Sequence, residues 1–431
     1  MADQHATPTL GLGATIAMGV GGTIGGGIFS LIGVAVEQAG PGALLSFVFA
    51  FGAALLLAVC YADLSGRFPR TGGGYAIARA VLGPGAGFLM GWGYWGAYVM
   101  ASGYTTLGFG NYLSALTGWP PVPAAVAMVL VLTGINLFGI RVSTRLLTVL
   151  VMVEVAVLVA VAAAGLGHLH GGATLLALPE GWAGVFTAAV PAFLAFGGFD
   201  QIAVVAGSVR RPQHTLPRAI FGALSIVLVL YLGLLVGALG ALPWRLLASD
   251  QAPLVAVATS VLGTWGASLI AVTALVTTMA TTNALVLVTS RVWWAMSADG
   301  HLPPAFARRS ATTDTPVWSV VFGGLCMILV AWIGNLTIIA AAAGFMYTAT
   351  FGWMLAAWVR ARRRYRVAGE FEFKGYRWVL APAVASLLFI LSQTGFQAIA
   401  VGVAWLSLGA IFYAAYGRRH GWSAIQTPPS S

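Results

Sequence analysis

Long apolar runs dominate the hydropathy pattern of this chain, and short polar, glycine-rich or proline-containing segments separate them. A helix that crosses a bilayer needs about 20 predominantly apolar residues. We interpret twelve of the runs as transmembrane helices, numbered spans one to twelve in chain order. Their predicted bounds are 12–36, 42–64, 86–114, 122–139, 143–166, 183–208, 216–240, 264–296, 316–334, 336–359, 378–394 and 396–416. The pattern predicts an all-α membrane protein.

Composition supports this interpretation. Of the 431 residues, 59% are hydrophobic and 7% are charged, whereas a typical soluble domain has about 25% charged residues. The net charge of +10 could indicate nucleic-acid binding, but the basic residues lie between apolar runs and not on one soluble face. Cys60 and Cys326 both lie inside apolar runs, so we expect no disulfide framework.

The basic residues are segregated between alternate loops. If the N-terminus is cytoplasmic, all of the 21 Lys and Arg residues except Arg245 fall in cytoplasmic loops or tails. The positive-inside rule therefore predicts a multi-pass protein of the cell membrane with both termini in the cytoplasm. Asp63 and Asp299 lie at predicted cytoplasmic helix ends, where they would form structural ion pairs or part of an inner gate. The first run lacks the features of a cleaved secretory signal and should stay as a helix.

Glycines interrupt spans one and six. Span one is glycine-rich over 19–29, and span six contains 196–199 just before Asp200. Each glycine costs about 1 kcal/mol relative to alanine in a helix interior. Close helix packing in lipid is one explanation for these residues, and unwinding of the helix is the other. Interruptions at corresponding places in two halves favour unwinding and indicate an inverted-repeat transporter.

This interpretation gives the domain organisation. Repeat one would cover about 12–166 and repeat two about 183–359, each with five spans, followed by two extra helices at about 378–416. The loops are too short for a separate soluble domain, so we predict one transporter domain over 12–417. Cytoplasmic tails would precede it at 1–11 and follow it at 418–431.

A helix break exposes backbone N–H and carbonyl groups that lipid cannot satisfy, so it is tolerated where it lines a cavity. The N–H groups would bind a carboxylate and the carbonyls an ammonium, and an α-amino acid carries both groups. The predicted substrate-binding residues are Gly22, Thr23, Ile24, Gly25, Gly26 and Gly27 in span one, Tyr98 in span three, and Leu194, Phe196, Gly197 and Gly198 in span six.

Several motifs carry a family resemblance. The segment 22–29, Gly-Thr-Ile-Gly-Gly-Gly-Ile-Phe, resembles the G-x-I-G-x-G-I-F motif of the amino acid, polyamine and organocation transporter superfamily. Further matches follow in the expected order at 61–64, 68–75, 136–139, 196–200, 206–212, 217–220, 290–291 and 298–303. The resemblance covers residues 12 to about 360. It implies the fold named for the bacterial leucine transporter, transport of amino acids or related amines, and no enzymatic activity.

Three departures limit what the resemblance implies. Ser208 stands where relatives often have an acidic residue. Leu194 stands where many have a bulky aromatic gate, so Phe193 or Phe196 could close the site instead. Glu154 stands where proton-coupled relatives often carry a lysine, so the coupling ion could be a proton or a sodium ion.

Glu154 and Asp200 are the acidic residues predicted to lie deep in the membrane, where a charge at the helix centre costs about 2.5–3.5 kcal/mol. The predicted ion-coupling residues are Glu154, Asp200, Thr281 and Thr282. Glu154 could instead be a protonated structural residue, and Asp200 could simply cap the half-helix after the break. Span eight carries a polar cluster whose hydroxyls would face spans one and five, so it could share a cation site with Glu154 or could serve helix packing alone. The cluster consists of Thr277, Thr278, Thr281, Thr282 and Asn283.

Side chains near the breaks bear on specificity. The aromatic residues Trp92, Tyr94, Trp95 and Tyr98 of span three are typical of packing or interface positions, with Tyr98 and Trp95 the best candidates for substrate contact. Small and apolar residues in span ten favour a neutral substrate side chain. They are Ala341, Ala342, Gly344 and Phe345.

The sequence therefore predicts a secondary active transporter that moves a neutral amino acid by alternating access, as an ion-coupled symporter or an exchanger. Exchange of a polyamine or another amine is the alternative within this class. A membrane-embedded enzyme would need clustered Asp, His or Cys residues, and a channel would need a symmetric pore element or charged rings. The expected partners are the substrate, membrane lipid and a coupling proton or sodium ion, with no cofactor, metal centre or nucleic acid.

Overall fold

The computed structural model describes residues 10–68, 73–139, 144–168, 175–204, 209–364 and 375–417. Regular structure in these ranges is helical, apart from a parallel bridge between Leu10 and Val209. The helices are α1 (Leu12–Ala39), α2 (Ala43–Arg67), α3 (Gly73–Leu82), α4 (Pro84–Thr117), α5 (Pro121–Leu137), α6 (Thr144–Leu166), α7 (Gly181–Ala195), α8 (Gln201–Val204), α9 (Pro212–Ala241), α10 (Trp244–Ser249), α11 (Pro253–Ala298), α12 (Val317–Ile333), α13 (Leu336–Arg364), α14 (Tyr376–Gln393) and α15 (Phe396–Phe412). Ser208 and most of both predicted tails lie outside the described residues.

These helices account for the predicted spans. Within the described residues, seven stretches are long and apolar enough to cross a membrane by themselves, and one of them, Leu12–Arg67, contains both α1 and α2. Helices α4 and α5 meet at 119° and supply spans three and four. The shorter apolar helices α7 and α12 supply spans six and nine. The chain is thus an all-α, multi-pass membrane protein, and the prediction of about twelve spans is confirmed.

The structure departs from the predicted elements at two short helices. Helix α3 buries Tyr75, Ala78 and Val81 and exposes Arg79, so it is amphipathic and packs beside α4. Helix α10 is also additional, and it packs on α1. Both were expected as loops because ten or fewer residues are too few for a span.

Two conformational features change the bounds of predicted spans. Helix α11 bends at Gly263, whose φ is 69°, and this separates an initial segment from the part that matches span eight. Span six was expected over 183–208, but its first helix ends at Ala195. The described residues that follow, 196–204, form a turn and the short helix α8 and do not continue α7.

Helix packing relates the two halves of the chain pair by pair. Helix α1 packs on α9, and its counterpart in the second half, α7, packs on α2. Helix α4 packs on α13, just as its counterpart α11 packs on α6. Equivalent pairs in both halves are the arrangement expected of a five-plus-five inverted repeat. The extra helices α14 and α15 lie at the periphery, against α13.

Candidate functional site

Span one is broken at Gly25. This residue has φ 31° and ψ −151°, outside the helical region, so α1 consists of two half-helices. Residues 23–27 around the break are buried. The N–H of Gly26, at the start of the second half-helix, donates to Thr281 Oγ1 of α11 at 3.0 Å. The expected unwinding of span one is confirmed.

Span six is broken between α7 and α8. After Ala195 the chain makes a turn in which the N–H of Gly197 donates to the carbonyl of Leu194 at 2.9 Å. Gly198 follows with φ 111°, a backbone conformation that favours glycine because it has no Cβ. The second expected break is therefore also present, and it falls within the predicted glycine segment.

The two breaks lie against each other. A methyl group on Gly198 would lie 2.2 Å from the carbonyl oxygen of Gly22 and 3.0 Å from the nitrogen of Thr23. Thr23 Oγ1 is buried and has no hydrogen-bond partner among the described residues. Backbone of span one thus touches backbone of span six at the places where each helix is interrupted.

Tyr231 of α9 joins the two breaks. Its hydroxyl lies 3.0 Å from the carbonyl oxygen of Thr23 and 3.1 Å from that of Ala195, and the side chain is fully buried. The sequence analysis did not single out Tyr231. A signal was present, since a tyrosine buried within an apolar span must place its hydroxyl on a partner.

Asp200 is fully buried and directly follows the second break. Its Oδ2 accepts hydrogen bonds from the hydroxyls of Tyr94 and of Tyr98, the latter at 2.9 Å. Its Oδ1 accepts from the Tyr347 hydroxyl at 2.7 Å and from the N–H of Gly198 at 3.2 Å. We call these residues the Asp200 cluster. It connects the break in span six to α4 and α13.

The Asp200 cluster differs from a helix cap. A cap would accept from the early N–H groups of α8, but the N–H of Gln201 donates to the Gly198 carbonyl and that of Ile202 to the Phe199 carbonyl. Four donors around one buried carboxylate offset much of the cost of removing it from water. Of the tyrosines, Tyr98 was a predicted site residue, Tyr94 was interpreted as packing, and Tyr347 was not singled out.

The two candidate aromatic gates point in different directions. Phe193 lies beside the Asp200 cluster, with its ring centroid 6.1 Å from that of Tyr347. Phe196 faces α2 and α9, where its ring lies 6.1 Å from that of Phe47 and 5.4 Å from that of Tyr231. Of these two candidates, Phe193 is therefore the one that faces the cluster.

The threonines of α11 contact three different helices. Thr281 accepts from Gly26 of α1, whereas Thr282 Oγ1 lies 2.8 Å from Thr105 Oγ1 of α4. The threonine that bonds Glu154 is Thr277. Of the predicted span-eight cluster, Thr277 therefore lies beside Glu154, whereas Thr281 and Thr282 contact other helices. Adjacent helical residues point about 100° apart, whereas residues four apart share a face.

Glu154 lies on the face of α6 that approaches α1. Its side chain is buried, and its Oε1 has no hydrogen-bond partner among the described residues. Val151, one turn earlier, contacts α1 so closely that a methyl group on Gly21 would lie 2.3 Å from it. Thr277, the partner of Glu154, lies one helical turn from the residue that bonds the first break.

Ion pairs connect helices at the end of the bundle that carries the basic loops. Asp63 of α2 is fully buried and lies 3.0 Å from Arg67 Nε and 2.9 Å from a guanidinium nitrogen of Arg362 on α13. The indole N–H of Trp358 also donates to Asp63. This network joins a helix of the first half to a helix of the second half.

A second ion pair connects α3 to the end of α11. Asp299 Oδ2 lies 2.6 Å from Arg79 Nη1 and accepts from the Tyr75 hydroxyl at 2.7 Å. His301 lies next to this pair, and burial together with the Arg79 guanidinium lowers its pKa to about 3. His301 is therefore neutral at physiological pH. Both predicted acidic residues at helix ends, Asp63 and Asp299, thus form ion pairs.

Two broken helices in contact inside a multi-pass helical bundle are typical of a membrane transporter. The chain belongs to the amino acid permease family, whose model matches residues 10–416. Its relatives are named as permeases and transporters, so this protein is a transporter and not an enzyme.

Three relatives illustrate the range of that family. The methylthioribose transporter of Bacillus subtilis (strain 168) is 29% identical over 411 residues, which cover 90% of this chain and 88% of the relative. The branched-chain amino acid permease BcaP of the same organism is 27% identical, over 95% and 91% of the two chains. The vacuolar cationic amino acid transporter 2 of Arabidopsis thaliana is 32% identical, over 77% and 55%.

Proposed function

We propose that this protein is a secondary active transporter that moves amino acids with neutral side chains across the cell membrane by alternating access. The observation that carries the proposal is the contact between the two breaks, where Gly22 and Gly198 meet. Helix breaks in contact inside a bundle provide backbone donors and acceptors in a place that lipid does not reach.

Internal side chains in this structure make the bonds that a substrate would make. Thr281 Oγ1 accepts from the N–H of Gly26, as an α-carboxylate would. The Tyr231 hydroxyl occupies carbonyls of Thr23 and Ala195, which are the acceptors that an α-ammonium requires. An amino acid that enters would exchange these contacts for its own. The chemistry at the breaks therefore matches the part of the substrate common to all α-amino acids.

The Asp200 cluster bears on the substrate side chain. The carboxylate oxygens of Asp200 already accept hydrogen bonds from three tyrosines and from the N–H of Gly198. A cationic side chain could pair with Asp200 only after it displaced some of these donors. This arrangement supports a neutral substrate. Relatives named for branched-chain and for cationic amino acids both occur, so the family alone does not select between them.

A second candidate function is the exchange of a cationic amino acid or a polyamine. The buried carboxylate of Asp200 favours it, because an intramembrane carboxylate commonly pairs with a cation. The cationic amino acid transporter among the relatives supports it as well. Only a transport measurement with both kinds of substrate separates the two candidates.

Counterflow in proteoliposomes tests the substrate class. Vesicles loaded with unlabelled leucine are expected to accumulate labelled leucine transiently, and vesicles loaded with lysine or putrescine should not drive that uptake. Protein-free vesicles serve as the control. A second set of vesicles is tested with labelled lysine or labelled putrescine. Counterflow of these labels, and none of labelled leucine, would replace the first candidate with the second. The lack of counterflow with all of them would reject amino acid transport.

Glu154 is our candidate for ion coupling. A buried carboxyl oxygen without a hydrogen-bond partner among the described residues is costly unless the group is protonated or binds a cation. Glu154 is connected to the break in span one through α11. It contacts Thr277, and Thr281, one helical turn further along α11, accepts the hydrogen bond from Gly26 at the break. We therefore propose that Glu154 carries a coupling proton or binds a coupling sodium ion.

We also propose that both termini are cytoplasmic. Ser249 is exposed on α10, and Ala311 is exposed in the loop before α12, so each accepts a cysteine probe. In a background without Cys60 and Cys326, a membrane-impermeant maleimide added to intact cells should modify Ser249→Cys. It should leave Ala311→Cys unmodified until the cells are opened. The reverse labelling pattern would invert the proposed orientation.

A further inference from the structure

A groove of about 690 Å³ opens on the surface between α13 and α14. It lies at the end of α13 that carries Arg362, Arg363 and Arg364. One end of the groove is polar and is formed by Arg363, Tyr376 and Arg377. The rest is apolar. None of the lining residues in the described part of the chain is acidic.

Two guanidinium groups meet at the polar end. Arg363 and Arg377 are both exposed, and they approach from α13 and α14 respectively. The guanidinium carbon of Arg377 lies 6.0 Å from the centroid of the Tyr376 ring. Guanidinium groups present paired N–H donors that match the oxygens of a phosphate.

The depth of this end relative to the bilayer follows from its neighbours. Trp378, the next residue on α14, is 86% exposed. Exposed tryptophan and tyrosine at the end of a transmembrane helix mark the level of the lipid headgroups. Arg363 and Arg377 therefore lie where lipid phosphates lie.

The apolar wall runs from this level into the membrane. Leu380, Val384 and Leu388 are spaced by four residues on α14, so they share one face of the helix. Val384 is 39% and Leu388 59% exposed, so this face is open to its surroundings. From Leu380 to Leu388 the wall extends about 12 Å along the helix, a length that an acyl chain can follow.

We propose that this groove binds one anionic phospholipid, with the phosphate between Arg363 and Arg377 and an acyl chain along α14. The charge of the headgroup is the basis of selection, because the two guanidinium groups favour a net negative headgroup over a zwitterionic one, and no acidic residue is among the described residues of the lining. The site is independent of the substrate proposed above, since it needs only the membrane location of the protein.

The groove is connected to the ion pairs inside the bundle. The ring of Tyr376 lies 5.1 Å from the guanidinium carbon of Arg362, and Arg362 in turn pairs with the buried Asp63. A lipid held against Tyr376 would thereby support the end of α13. This helix also carries Tyr347 of the Asp200 cluster.

Native mass spectrometry of the purified full chain tests the site, with phosphatidylglycerol and phosphatidylcholine as probes. The wild type should retain phosphatidylglycerol in preference to phosphatidylcholine. The double variant Arg363→Gln with Arg377→Gln should retain about tenfold less phosphatidylglycerol. The matched control is Arg308→Gln with Arg309→Gln, which removes the same charge from a loop away from the groove and should bind as the wild type does.

A second variant tests the apolar wall separately. Val384→Trp fills the groove without a change of charge and should also lower phosphatidylglycerol retention. Equal retention by the arginine double variant and its control, or equal retention of the two lipids by the wild type, would overturn the proposal. Displacement of the lipid by inorganic phosphate alone would likewise overturn it, since the site would then be an anion site without a lipid chain.

Discussion

Gly198→Ala is expected to weaken substrate binding and transport strongly while the protein still inserts into the membrane. The added methyl group would lie 2.2 Å from the carbonyl oxygen of Gly22, and this neighbour is backbone, which cannot turn aside as a side chain can. The φ of 111° adds strain of about 1–3 kcal/mol for a residue with a side chain. The two breaks must therefore move apart, and the affinity should fall by at least about tenfold.

The matched control is Gly52→Ala on α2, since a methyl group there meets no atom within 4 Å. This variant should bind and transport as the wild type does. Both proteins are compared by equilibrium binding of labelled leucine, with thermal unfolding in detergent to verify the fold. Wild-type affinity in a folded Gly198→Ala protein would place the substrate site elsewhere.

Two further variants keep this test informative if Gly198→Ala fails to fold. Gly26→Val would bring its Cβ within 2.9 Å of a Thr105 methyl group and would crowd the N–H that we assign to the substrate carboxylate. Tyr231→Phe removes only the hydroxyl that bridges the two breaks and keeps the ring packed against Phe47 and Phe196. Gly26→Val should lower leucine affinity. Tyr231→Phe frees the carbonyls of Thr23 and Ala195 for the α-ammonium and should raise leucine affinity. Unchanged affinity in both would reject the breaks as the binding site.

Glu154→Gln is expected to retain leucine exchange and to lose accumulation driven by an ion gradient. The amide keeps the size of the side chain and its contact with Thr277, but it can neither release a proton nor offer a charge to a cation. Exchange needs no net movement of the coupling ion, so counterflow should continue. Uptake driven by an imposed proton or sodium gradient should fall to the level of protein-free vesicles.

Asp200→Asn provides the comparison for a second buried carboxyl. An amide nitrogen in place of one oxygen would present a donor to tyrosine hydroxyls that now donate. We expect this change to disturb the break in span six and to weaken exchange and accumulation together. Gradient-driven accumulation by Glu154→Gln at the wild-type level would reduce Glu154 to a structural residue. In that case another residue would have to bind the coupling ion.

The sequence by itself determined the spans and the places where they break. Apolar length identifies a membrane helix, because the bilayer sets that length. The breaks fall at Gly25 and Gly198, both of which have positive φ. Glycine adopts this conformation without steric cost, so the glycine residues in the sequence indicate where a helix can unwind. The motif at 22–29 then indicated the family. These features need no knowledge of which helices are neighbours.

Only the tertiary structure decided which side chains meet at the breaks. Tyr231 and Tyr347 join the site from α9 and α13. Of the threonines in the span-eight cluster, Thr277 contacts Glu154, whereas Thr281 and Thr282 contact other helices. The physical reason is that a helix that is apolar on all sides has no polar face, so its sequence does not show which side faces the neighbouring helices. In lipid, packing and a few hydrogen bonds between distant spans set that rotation. Hydropathy therefore shows where a helix crosses the membrane, and contacts between helices decide which way its polar residues point.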